Sequence, residues 1–126
     1  MKYFALALLF LTACKQPAPV KDVPAAGQLV HMLFFQLKPE ADKQAFLRSL
    51  QTFQSIEVVR HLEIGHFQDT GGPPSELSAH SIVVRLTFDD LAAFRVYEKH
   101  PVHLASIEAT KGMLAGPPTG YDYVVE

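Results

Sequence analysis

The sequence predicts an α+β domain: one four-stranded antiparallel sheet with its helices gathered on one face. Three observations lead there. Segments whose apolar residues recur every second position alternate with segments of helical period, in the order β-α-β-β-α-α-β. The run Asp69-Thr70-Gly71-Gly72-Pro73-Pro74 is a turn signal that joins the second and third strands as a hairpin. A chain of 126 residues that is 48% hydrophobic carries enough apolar material for the core of one domain.

The first strand is expected at 29–37. It turns Leu29, His31, Leu33, Phe35 and Leu37 one way and Val30, Met32, Phe34 and Gln36 the other, so it needs cover on both faces. Pro39 and Glu40 suit a first helical turn. Phe46, Leu50 and Phe53 then form the buried stripe of that helix, with Arg48, Gln51 and Gln54 elsewhere. The pattern returns to period two over 57–67, where Val58, Leu62 and Ile64 share a face and Gly65 marks a bulge or a close backbone approach. The third strand, 79–88, aligns Ile82, Val84, Leu86 and Phe88.

Asp89 is the expected N-cap of a helix running to Lys99 that buries Leu91, Phe94 and Tyr97. His100-Pro101 breaks it. A last helix over 102–114 is expected to bury Leu104, Ile107 and Met113, to end at Gly116-Pro117-Pro118, and to lead into a closing strand at 121–125. This order is the split β-α-β, ferredoxin-like arrangement. Helices on one face leave Val30, Met32, Phe34 and Val83 on the other. The simplest cover for such a patch is the same sheet from a second copy, a two-fold homodimer closed into a dimeric α+β barrel.

Residues 1–13 have the charged start, apolar middle and small-residue end of a signal peptide. The apolar run at 4–11 falls well short of the ~20 residues that span a bilayer as a helix. Leu11-Thr12-Ala13-Cys14 resembles the bacterial lipobox, which implies cleavage before Cys14 and its acylation with fatty chains such as palmitate. Two or more chains hold a protein firmly, at ~0.8 kcal/mol per buried CH₂. Lys15 by the same resemblance implies the outer membrane, facing the periplasm, where the envelope has two. Residues 14–27, broken by Pro17, Pro19 and Pro24, read as a flexible tether between the lipidated Cys14 and a domain at 28–126. The plainer alternative makes 4–11 a core element and Cys14 a small buried hydrophobe.

The net charge of −2 comes without a basic run, so nucleic acid is not an expected partner. The single cysteine excludes an intrachain disulfide and any multi-cysteine zinc site. His100 and His103 are spaced to share a helix face, but Pro101 intervenes and no third ligand follows from spacing. No metal and no cofactor are therefore expected. There is no phosphate-binding glycine loop and no nucleophile elbow.

Three stretches carry a resemblance that covers about residues 28–126. They are Leu29-Val30-His31-Met32-Leu33-Phe34-Phe35, Leu86-Thr87-Phe88-Asp89-Asp90-Leu91 and, above all, Tyr97-Glu98-Lys99-His100-Pro101-Val102-His103. Together with the closing Tyr121-Asp122-Tyr123 they resemble the Dabb family, the stress-responsive dimeric A/B barrel domain. The resemblance implies the fold just derived and a homodimer. In one plant member, a cofactor-free polyketide cyclase, a Tyr and a His of the Y-x-x-H-P-x-H element act together; they correspond to Tyr97 and His103, the candidate catalytic pair.

The early-strand histidine of that enzyme borders its pocket and corresponds to His31. Leu33, Phe35, His80 and His100 complete the expected ligand-binding set, with His80 offset by two residues from its counterpart. An imidazole can abstract a proton near neutral pH, and a phenol can orient it or polarise a carbonyl. Each residue also has a plainer reading: Tyr97 as a core aromatic, His103 packed upon it, His31 as a structural histidine with a satisfied ring. Three readings follow: a tethered domain binding a small hydrophobic molecule between sheet and helices, a cyclase- or isomerase-like enzyme, and a structural envelope module.

Overall fold

The computed structural model describes residues 23–126. The expected signal peptide, the lipidated Cys14 and most of the tether lie outside the described residues. Four strands, β1 (Leu29–Phe35), β2 (His61–His66), β3 (Ile82–Phe88) and β4 (Thr119–Val124), form one antiparallel sheet in the order β2-β3-β1-β4. The helices are α1 (Lys43–Gln51), α2 (Leu91–Lys99) and α3 (Pro101–Thr110). The element order matches the sequence expectation, and the fold is the ferredoxin-like α+β arrangement. Among the described residues no helix is long and apolar enough to cross a membrane.

The core lies between the sheet and the helices. Ile82, Val84, Leu86 and Phe88 alternate along β3 toward Phe46, Leu50 and Phe53, all of them buried. Burial of each such side chain contributes roughly 1.5–3 kcal/mol. Gly65 faces its neighbour closely: a Cβ there would meet Val83 Cγ1 at 3.0 Å, so the glycine permits close approach on the far face of the sheet.

Several boundaries differ from expectation for local hydrogen-bonding reasons. The first helix starts at Lys43, not at Pro39, because the Asp42 carboxylate accepts from Ala45 N at 2.9 Å and sets the N-terminus. β2 begins at His61; the residues before it are taken up by a 3₁₀ turn (Thr52–Ser55) and a loop that buries Ile56 and Val59. β3 begins at Ile82, behind a second 3₁₀ turn (Glu76–Ala79) capped by Ser75 and Ser78. Beyond β1, Leu37 makes only an isolated bridge with Leu114.

The cap of α2 is Asp90 rather than Asp89: Asp90 accepts from Ala93 N at 2.8 Å. Asp89 instead ion-pairs with Arg60 and accepts from Gln28. The guanidinium beside it holds the Asp89 carboxyl below the usual range. With the helix in that phase Phe94 and Tyr97 point inward, while Leu91, expected to be buried, is 54% exposed.

The expectation for α3 is overturned more fully. Leu104 and Ile107 are exposed, and the buried positions are Ser106 and Thr110. The Ser106 and Ser49 hydroxyls hydrogen-bond at 2.8 Å, and Thr110 Oγ1 donates to the Ser106 carbonyl. Small side chains that satisfy one another let α3 lie against α1, which turns its larger residues outward. The helix also stops at Thr110, giving way to a 3₁₀ turn (Lys111–Met113).

On the sheet face away from the helices, Met32, Phe34 and Val83 are half-buried and Val30 is fully buried between its register neighbours Thr87 and Tyr123. The exposed apolar surface of that face lies farther out than expected, on Tyr121 and Tyr123 of the edge strand β4. Replacing Asp90 with Ala is expected to cost about 1 kcal/mol in urea denaturation. Asp89→Ala should cost less, because its ion pair is solvent-exposed; the opposite ranking would return the cap to Asp89.

Candidate functional site

A cavity of about 540 Å³ opens between the sheet and the helices. That lies within the ~300–1,000 Å³ typical of small-molecule sites. β1 lines it with His31, Leu33 and Phe35, because alternate residues of the strand face the helices. Leu50 of α1 and Phe53 form one wall, Tyr97 of α2 another. α3 contributes His103, Ser106, Ile107 and Thr110, and the loop before β4 contributes Leu114, Pro117 and Pro118.

Tyr97 is 1% exposed, and its hydroxyl is buried without a hydrogen-bond partner. Desolvation, helped by the Glu98 carboxylate, pushes that phenol well above its ordinary range, so it stays protonated. The His103 ring lies 4.2 Å from the Tyr97 ring, centroid to centroid, at 31°. The break at His100-Pro101 makes this possible. His100 ends α2 and its Nδ1 accepts from Val102 N, so α3 starts in a new direction and returns His103 to Tyr97.

His103 Nδ1 sits 3.1 Å from the Glu98 carbonyl oxygen. A carbonyl can only accept, so Nδ1 carries the proton and Nε2 is left as an acceptor. Burial lowers the His103 pKa below its ordinary 6.5, the bond to Glu98 acting in the opposite direction. Neutral His103 beside a protonated Tyr97 is a base–donor pair in an apolar cavity.

On the sheet side, His31 Nδ1 pairs with the carboxylate of Asp122, its direct register neighbour on β4. The His31 ring lies 5.0 Å from Phe94 and 6.2 Å from Tyr97. Asp122 enters the sequence analysis only within the closing Tyr121-Asp122-Tyr123 and with no site role. The strand alternation puts it opposite His31 once β4 is paired with β1.

The structure brings Tyr97, His103, His31, Leu33 and Phe35 to one cavity. It does not bring His80 or His100 there. His80 is near Phe34, His66 and Phe67 at the other side of the sheet, with Nε2 3.3 Å from Thr119 Oγ1, in the segment before β3, which starts three residues later than the sequence pattern suggested. His100 is occupied as the cap of α3 and faces Glu57. Among the described residues no three His, Cys, Asp or Glu side chains are grouped to hold a metal.

An antiparallel sheet carrying its helices on one face, with the Tyr and the last His of a Y-x-x-H-P-x-H element meeting in the cavity, defines an A/B barrel domain. The chain belongs to the Dabb family, the Stress responsive A/B Barrel Domain, which matches residues 29–124. No curated protein is similar enough in sequence to count as a match.

Among solved structures, a Dabb family protein with a ferredoxin-like fold from Mesorhizobium loti superposes with a TM-score of 0.62 at 22% identity, over 79% of this chain and 98% of that one. A dimeric ferredoxin-like protein from Jannaschia sp. gives 0.66 at 17%, over 79% and 100%. The hydroxynitrile lyase of Passiflora edulis gives 0.66 at 14%, over 81% and 96%. At these identities the likeness is one of fold.

Proposed function

We propose that this chain is a lipid-anchored envelope domain that binds a small, largely apolar molecule carrying a polar group able to reach Tyr97. One observation carries the reading: Tyr97 lines an apolar cavity, and its hydroxyl is buried with no protein partner. A buried hydroxyl left unsatisfied costs about 1–3 kcal/mol, so such a group calls for a ligand to pair with it. With 2-naphthol as probe, calorimetry is expected to show one site per chain. Tyr97→Phe should leave the fold as stable or more stable while weakening 2-naphthol about fivefold to tenfold. Equal affinity for the two proteins would refute the role of the hydroxyl.

A second reading is supported by His103. With Nδ1 committed to Glu98 and burial favouring the neutral ring, its Nε2 suits proton abstraction beside a carbonyl, with Tyr97 donating to the developing enolate and no cofactor required. A relative in fold, the Passiflora enzyme, is a lyase. The probe is 2-tetralone in deuterated buffer. Exchange next to its carbonyl should be accelerated by the wild-type protein and lost in His103→Ala. Because the neutral ring is the active form, the rate should fall as pH drops through a value below 6.5. Wild-type exchange no faster than the variant's would leave binding alone.

The proposal includes a homodimer, joined through the sheet face that carries Met32, Phe34, Val83, Tyr121 and Tyr123. Support comes from the apolar exposure of that face and from the relative described as dimeric. It also includes an anchor at Cys14, supported by the lipobox-like segment, and thus an outer-membrane, periplasm-facing location. The domain without its first 22 residues is expected to sediment as a dimer at micromolar concentration, and Cys14→Ser to lose labelled palmitate; a monomer, or label retained, would count against the respective part.

A further inference from the structure

We propose that the cavity selects a neutral molecule with at least two O–H or N–H donors, held by the Nε2 atoms of His31 and His103, and that Asp122 is the positioning residue that sets this selectivity through His31. The inference deepens the binding reading above and rests on it.

Each cavity-lining imidazole has its Nδ1 engaged by a group that can only accept. For His103 that group is the Glu98 carbonyl, and for His31 it is the Asp122 carboxylate. The tautomer of a histidine is set by the hydrogen bond its other nitrogen makes. In the neutral form each ring therefore carries its proton on Nδ1 and leaves Nε2 as a lone-pair acceptor. Among the described residues, neither Nε2 has a hydrogen-bond partner.

The Tyr97 ring lies 6.2 Å from the His31 ring and 4.2 Å from the His103 ring, centroid to centroid, and its hydroxyl is buried and unpartnered. The two neutral imidazoles and Tyr97 thus offer this cavity two acceptors and one hydroxyl. The surrounding wall is apolar: Phe53, Leu33, Phe35 and Leu50. A carboxylate would meet lone pairs there, and Lys111, the one lysine or arginine of the lining, is ion-paired with Glu108. A neutral aromatic or alicyclic diol fits this arrangement: its two donors meet the imidazoles, and an oxygen accepts from Tyr97.

Asp122 is half-exposed on an edge strand and does not line the cavity, so its removal alters the His31 ring without reshaping the wall. The test uses the full domain with 1,3-dihydroxynaphthalene, its dimethyl ether and 2-naphthoate, by calorimetry, together with ¹⁵N spectra of the His31 ring. In the wild-type protein the diol should bind at least about tenfold tighter than the ether or the naphthoate. The spectra should show His31 protonated on Nδ1 and bare on Nε2.

In Asp122→Ala the proton should leave Nδ1 for Nε2, and the diol-over-ether preference should fall severalfold because the ether oxygens now accept from Nε2–H. Ether binding as tight as the diol overturns the selectivity while the binding reading stands. Tight naphthoate binding overturns the neutral class. A wild-type His31 protonated on Nε2, or a variant with an unaltered diol preference, overturns the role of Asp122. Absence of binding by all three probes overturns this inference and the binding reading together.

Discussion

The packing of the Tyr97 ring ties the layers of this domain to one another. It meets Phe88 of β3 at 5.1 Å, Phe53 at 5.6 Å edge to face, and Phe94 of its own helix at 6.1 Å. His31 of β1 and His103 of α3 complete its surroundings. Tilted and edge-to-face contacts of this kind add a directional preference to simple burial. One ring thus fixes α2 over the sheet and gives α3 a surface to return to. The same packing leaves the phenol oxygen inside without a partner, so the residue that organises the core is also the one whose chemistry is left open.

The two histidines are oriented from behind. Neither Glu98 nor Asp122 lines the cavity, yet each accepts a hydrogen bond from the Nδ1–H of a ring that does. The Glu98 carbonyl is available because α2 ends one residue later: the last carbonyls of a helix have no partner within it, and the turn at His100-Pro101 brings His103 to one of them. An ordinary feature of helix termination becomes a device for presenting an imidazole lone pair.

Strand β4 serves both faces of the sheet. Tyr121 and Tyr123 project to the side away from the helices and are exposed, while Asp122 between them projects toward the helices and meets His31. Period-two alternation at an edge strand places a candidate association surface and a partner of the candidate site one residue apart. Movement of this strand against a neighbour would be felt at His31.

Much of the architecture was legible because hydrophobic period reports which side of an element is buried, and that is a local property. The alternation of Ile82, Val84, Leu86 and Phe88, the stripe of Phe46, Leu50 and Phe53, and the break at His100-Pro101 all reappear in the fold, as does the meeting of Tyr97 with His103. The pattern pointed to Asp89 as the cap where the structure uses Asp90, since an aspartate at either position can cap and only the pairing of Asp89 with Arg60, just before β2, removes one of them. It also misread α3, where burial follows a hydroxyl pair shared with α1 and not the larger apolar side chains. The link between His31 and Asp122 lies still further from local reach. It joins residues 91 positions apart and exists only because β4 pairs with β1 in one particular register. By itself the chain determined its elements and their sidedness; register and helix direction, which depend on long-range packing, decided which polar groups face one another across the cavity.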